Sequence, residues 1–140
     1  VLETSAGKEA PDMLLTEKGG KEIRLRQIPG KLRIVDFWAS WCGPCRKSNP
    51  FMLALYEEFK DKGLEVVSVS VDVDEDAWLK AVKEDKLTWK YNVRDLKGQA
   101  GSLYGITAIP CVLLLDDNNQ ILGRNLPKDE LRRIVEERLK

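Results

Sequence analysis

Two cysteines separated by two residues, in Trp41-Cys42-Gly43-Pro44-Cys45, are the residues of this chain best suited to chemistry. Thiols at that spacing can bridge to each other, supply half of a zinc site, or serve as nucleophile and resolving partner in exchange with another disulfide. A structural zinc site needs four Cys or His ligands, whereas the chain has 3 cysteines and 0 histidines. A bridge closing so short a loop restrains the unfolded chain very little, so structural stapling gives the pair little purpose. The missing histidine also removes Ser-His-Asp and Cys-His catalysis. Two further residues bear on the same chemistry: Asp36, a lone carboxylate in an apolar run, and the third cysteine, Cys111.

The pair needs a scaffold, and the hydrophobic pattern supplies one. Leu32 to Ala39 is apolar, β-branched and aromatic, which predicts a central strand covered on both faces. After Cys42 the period changes: Phe51, Met52, Leu55 and Phe59 recur at helical spacing. The helix is expected to begin near Gly43, kink at Pro50 and stop at Gly63. The cysteines therefore fall where a buried strand gives way to a helix. Free N–H groups and the helix dipole there favour an anion, so the Cys42 thiol should ionise more easily than a free cysteine. Pro44 costs little in the first turn, where its missing N–H had no helical partner. One turn brings Cys45 within reach of Cys42 but deeper, giving Cys42 as exposed nucleophile and Cys45 as buried resolving thiol.

Around this unit the pattern predicts strands at Met13 to Thr16 and Ile23 to Leu25, joined by a Gly19-Gly20 turn. Further strands are expected at Leu64 to Val71, Leu87 to Val93, Cys111 to Leu115 and Gln120 to Arg124. Helices are expected at Glu75 to Glu84, as one turn at Ser102 to Tyr104, and from Lys128 to Lys140. The sum is an α/β fold with parallel central strands and an antiparallel hairpin at one side. Residues 1–10 read as a linker or tail and 11–140 as one domain. The start at Val1, without Met or signal-type segment, reads as that expected of a processed or truncated chain.

Composition narrows function further. The 140 residues carry 23 Lys plus Arg against 23 Asp plus Glu, so zero net charge gives no electrostatic case for nucleic acid or an anionic membrane. A 43% hydrophobic fraction is enough for a core, and no apolar run approaches the roughly 18 residues of a membrane span. No metal or cofactor is called for.

From Val35 to Cys45 the sequence, VDFWASWCGPC, resembles the active-site signature of the thioredoxin superfamily. The likeness runs from about Ala10 to Lys140. The opening Ala10-Pro11-Asp12, the leading hairpin and the Asp74 to Gly98 stretch with its extra helix are similar to the TlpA/ResA branch. The resemblance implies a thioredoxin fold: a central mixed β-sheet flanked by helices on both faces, with an N-terminal β-hairpin and an inserted helix. It also implies thiol-disulfide exchange with protein substrates and an unidentified redox partner, by a protein expected to be a monomer. By the same resemblance Asp36 takes the proton from Cys45, a thioredoxin-like departure from the TlpA branch, which often has an uncharged residue there. Ile109-Pro110 matches the position of a cis-proline beside the CxxC. Ile109 would then offer its backbone to an extended substrate, and Pro110 would keep metals from the thiols. Trp41 is read as an aromatic docking wall, with Gly43 and Pro44 beside it. The Gly43-Pro44 dipeptide resembles that of reducing thioredoxins.

Cys111 is either an inert buried strand residue or a third thiol near the pair. Trp38 is read as core, and Trp78 and Trp89 as core or cover. Two alternatives to exchange remain: a peroxiredoxin-like peroxidase and a redox-inert binding module of the same fold. Against the first, Ala39 stands where a peroxidatic cysteine would have Thr or Ser three residues earlier. By resemblance the protein belongs in a bacterial periplasm or cell envelope, with the cytoplasm as the alternative.

Overall fold

The longest apolar run forms the middle of the sheet. In the computed structural model, which describes residues 4–140, β3 (Leu32–Trp38) is buried at every position. It pairs in parallel with β4 (Leu64–Ser70) over its whole length and antiparallel with β6 (Cys111–Asp116). β4 pairs in parallel with β5 (Tyr91–Arg94), and β6 pairs antiparallel with β7 (Ile121–Arg124). The leading hairpin, β1 (Leu14–Glu17) and β2 (Glu22–Arg24), joins the same sheet through an antiparallel β1–β5 contact. The result is one seven-stranded mixed sheet in the order β2-β1-β5-β4-β3-β6-β7.

Side chains alternate across β3, and each set meets a different cover. Leu32, Ile34 and Trp38 pack with α1 (Gly43–Phe59), α2 (Glu75–Glu84) and α4 (Lys128–Arg138) through Met52, Leu55, Trp78, Ala81, Leu131 and Val135. Val35 and Phe37 face the other way, against Met13, Leu25, Ile28, Tyr104 and Ile106. On that side the cover is the short helix α3 (Gln99–Ser102), a 3-10 turn at Leu25–Gln27 and the N-terminal segment. Helices thus lie on both faces, unequally.

Several boundaries differ from the hydrophobic pattern. Helix α1 runs unbroken across Pro50 to Phe59, followed by a 3-10 turn and then Gly63 at φ 110°. Strand β5 begins only at Tyr91, because Lys86 takes a positive φ of 57° and Leu87 to Lys90 form the turn that brings the chain back to the sheet. The single helical turn near residue 100 starts at Gln99, since the Asp95 carboxylate accepts the N–H groups of Gln99 and Ala100.

Residues 4–10 of the segment read as a tail lie along β7, while residues 1–3 are outside the described residues. Gly7 N donates to Ile121 O, Ile121 N to Lys8 O, and Ala10 N to Asn119 O, at 2.8–2.9 Å. The Thr4 hydroxyl donates to Tyr104 O and accepts from Arg124, while the Tyr104 hydroxyl donates to Pro11 O. Backbone bonding to an open strand edge, which composition does not reveal, ties this segment down.

One buried cation holds the same side together. Arg33, 2% exposed on β3, donates to the carbonyls of Leu25, Ile28 and Asp116 and to Asn119 Oδ1. It joins the 3-10 turn to the β6–β7 hairpin. Replacing Arg33 by Met strips the side-chain donor from Ile28 O and Asn119 Oδ1 and leaves Leu25 O and Asp116 O with only the N–H groups of Ile28 and Asn119. A loss of about 3 kcal/mol is therefore expected, read as a lowered urea midpoint at unchanged slope.

Candidate active site

Four residues, Ala39 to Cys42, turn the chain from the end of β3 into α1. Cys42 is the N-cap of that helix, in extended conformation, and its Sγ accepts the Cys45 N–H at 3.2 Å. Its own N–H donates to Ala39 O at 3.1 Å, closing the turn. No acidic residue lies in the first turn of α1 to compete with a negative sulfur. A thiolate at Cys42 would therefore keep a backbone donor and the positive end of the helix dipole. Cys42 and Cys45 are joined as a disulfide, with Cα atoms 5.3 Å apart.

The expected contrast between an exposed and a buried sulfur is small here. Cys42 is 5% exposed and Cys45 1%. Cys42 and Cys45 both belong to the core cluster that also holds Trp38 and Trp78, with Ile109 packed against it. Gly43 and Pro44 remain exposed on the helix tip.

Asp36 lies on the sheet face that carries the disulfide, because it shares its parity on β3 with Ile34 and Trp38. Its neighbours across the sheet are Ser68 on β4 and Val112 on β6. It is 3% exposed, and burial pushes its carboxyl up to about 7. A carboxyl poised there can hold or release a proton near neutral pH. Ser68 is itself engaged, accepting from Trp89 Nε1 at 3.0 Å, so Trp89 as well as Trp38 and Trp78 is core.

The Ile109–Pro110 peptide is cis, at the entrance to β6. Pro110 is exposed and Ile109 half-buried. Ile109 and Trp41, the latter 70% exposed, line one cleft of about 450 Å³. Its other walls include Val71, Thr107, Val73 and Leu96, of which Val73 is 94% and Leu96 54% exposed. Sequence reasoning missed these last two, since nothing in a Val or a Leu tells rim from core. Pro110 borders a second, apolar cavity of about 300 Å³ with Phe51, Met52 and Leu126.

Cys111 packs on the opposite face of the sheet from the disulfide, among Val35, Phe37 and Tyr104. Burial pushes its thiol up. The sheet itself thus separates the third thiol from the pair, and of the two readings the inert strand residue is the one that fits.

Sequence reasoning also missed Asp72. Its buried carboxylate accepts from the Ser40 N–H at 2.9 Å, the Ser40 hydroxyl at 2.6 Å and the Ser70 hydroxyl at 2.6 Å. Its signal was its place just past β4, beside the C-terminal end of β3, where parallel strands put their functional loops.

A mixed sheet of this order, with a bonded cysteine pair at the tip of the helix that follows its central strand, defines a thioredoxin-fold thiol-disulfide oxidoreductase. Proteins of this class act on thiols and disulfides and exchange electrons with redox partners. The Redoxin family model matches residues 5–139, and the chain belongs to that family. It is 32% identical over 134 residues to the thiol-disulfide oxidoreductase ResA of Bacillus thuringiensis subsp. konkukian, covering 96% of this chain and 76% of that protein. Among solved structures it is similar to the thioredoxin domain of a thiol-disulfide oxidoreductase from Bacteroides vulgatus, at 34% identity and TM-score 0.87, covering 97% and 99% of the two chains. A thiol:disulfide interchange protein from a Bacteroides species matches at 34% identity and TM-score 0.86, over 96% and 90%. The TlpA/ResA-like branch inferred from the sequence holds.

The position of Asp36 has a consequence for stability. Its folded pKa lies above its unfolded one, so the folded state binds the proton more tightly. Stability is then fully present below pH 4 and is lost as pH rises towards 7. Asp36→Asn removes that cost: at pH 8 it should be more stable than wild type by up to about 4 kcal/mol, with no gain below pH 4, in urea titrations at the two pH values.

Proposed function

We propose that the protein reduces disulfides in protein substrates, with Cys42 as nucleophile, Cys45 as resolving thiol and Asp36 as proton acceptor. The observation that carries this reading is the Cys42 sulfur at the N-cap of α1, receiving the Cys45 N–H at 3.2 Å with no acid in that turn. A sulfur so placed is a ready thiolate and a good leaving group.

The reduced protein attacks through the Cys42 thiolate. A bond forms from Cys42 Sγ to one substrate sulfur, the substrate disulfide breaks, and the other substrate sulfur leaves as thiolate. Cys45 then gives up its proton to the Asp36 carboxylate and attacks Cys42 Sγ, releasing the second substrate sulfur. Two electrons pass to the substrate, and Cys42–Cys45 is left as the disulfide found in this structure. A separate thiol reductant returns the electrons. The reducing direction rests on Gly43-Pro44 and its likeness to reducing thioredoxins.

Substrate chains lie in the cleft between Trp41 and Ile109. The Ile109 backbone adds an extended segment by strand-like hydrogen bonds, and Trp41, Val73 and Leu96 take its apolar side chains. Gly43 and Pro44 leave the helix tip open to an approaching chain, and Pro110 keeps metal ions from the thiols.

We take the site of action to be a bacterial cell envelope. The relatives are bacterial, and the TlpA/ResA likeness points outside the cytoplasm. No helix among the described residues is long and apolar enough to cross a membrane. We also take the protein to act as a monomer, since its own elements cover both faces of its sheet.

Cys45→Ser should accumulate mixed disulfides through Cys42, visible as thiol-reversible adducts on gels, while Cys42→Ser forms none and reduces no insulin. Asp36→Asn should slow resolution of a preformed mixed disulfide about a hundredfold at pH 7, as expected for a lost general base. Trp41→Ala should raise KM for a peptide disulfide about tenfold with kcat unchanged, the mark of lost docking. An active Cys42→Ser protein would overturn the reading.

A further inference from the structure

Ser40, two residues before the Cys42 sulfur, has all its polar groups taken. Its N–H and its hydroxyl go to Asp72, as described. Its carbonyl accepts from Arg46 Nη1 at 3.4 Å. Arg46 is held in turn by Asp85 at the C-cap of α2: Nε donates to Oδ2 at 3.0 Å and Nη2 to Oδ1 at 2.7 Å. The same Asp85 oxygen Oδ2 accepts from Nδ2 of Asn49, a buried residue one turn beyond Cys45 on the inner face of α1. Glu84 adds a weaker, exposed contact to Arg46 at 3.2 Å.

We propose that Asp85 and Asp72 are a pair of positioning residues for Cys42, gripping Ser40 from opposite sides. Asp72 comes from the end of β4, and Asp85 reaches Ser40 through Arg46. The inserted helix α2, beyond covering the sheet, thereby fixes the turn that delivers the nucleophile. The two-oxygen grip on a planar guanidinium sets direction as well as distance, which a lysine could not reproduce. Misplacing a reacting atom by as little as about 1 Å can cost a hundredfold in rate, so a loosened turn should be felt at Cys42. The proposal rests on the exchange reading for its biological meaning and on Cys42 reactivity alone for its test.

The test is the alkylation rate of Cys42 by iodoacetamide in the reduced full-length protein, with insulin reduction measured beside it. Asp85→Asn should slow both about tenfold while lowering the melting midpoint by only a few degrees. Asp85→Glu, which keeps two oxygens for the guanidinium, should stay within about twofold of wild type. Arg46→Lys should be as slow as Asp85→Asn. Combining Asp85→Asn with Asp72→Asn should cost little more than the worse single change, because both act on Ser40. Should Asp72→Asn fail to fold, Ser40→Ala takes its place in the cycle, removing one bond to Asp72. Wild-type alkylation rates in Asp85→Asn, full activity in Arg46→Lys, or losses that multiply to about a hundredfold would each overturn the proposal. A wild-type protein that alkylates normally but reduces no insulin would instead count against the exchange reading.

Discussion

The parallel pairing of β3 with β4 is the constraint on which the site depends. Parallel neighbours end at the same edge of the sheet, so the residues that follow them emerge side by side. After β3 come Ala39, Ser40, Trp41 and Cys42; after β4 come Val71 and Asp72. The contact of Ser40 with Asp72 is a direct product of that geometry, as is the Val71 N–H bond to Trp38 O at 2.9 Å. The turn is short, so the helix starts while the chain is still at the sheet edge. The Cys45 N–H in its first turn then points at a sulfur instead of at water.

Strand parity does the rest. With a side-chain period of two, a one-residue slip of β3 would send Asp36 to the face of Tyr104 and Ile28 and bring Arg33 beneath α1. Neither exchange is tolerable. Arg33 needs the carbonyls of Leu25, Ile28 and Asp116, which exist only on its present side. The same alternation that satisfies the buried cation therefore places the buried acid with the cysteines. Asp36 lies in a sheet with no charge opposite it, only Ser68 and Val112. That is why burial governs its titration, and why the group is suited to carry a proton that no histidine is present to carry.

Much of this was legible in the residues. The strand–CxxC–helix unit showed because its period changes abruptly at Cys42, and helix α2 because Trp78, Leu79 and Val82 share one side. Local signals of that kind survive folding. What stayed hidden depends on distant pairing. The bond from Gly7 to Ile121 joins residues more than a hundred positions apart, and no local pattern reports it. Asp85, Arg46 and Asp72 each look like members of a solvated charge run. Only the return of α2 to the start of α1 makes them a network. Burial of Cys42 was likewise invisible, since the cluster that encloses it draws on Trp78 and Ile109, which arrive from distant parts of the chain.

The face chosen by Cys111 also shapes what an observer can measure. A seven-stranded wall stands between that thiol and the bonded pair. Scrambled bridges are thereby shut out by topology, and the molecule behaves as a two-electron device with one silent bystander. Cys111 and Cys45 are equally buried, at 1% exposure each, so a thiol reagent applied to the native protein is confined to Cys42, and unfolding adds Cys111 to the count in either redox state.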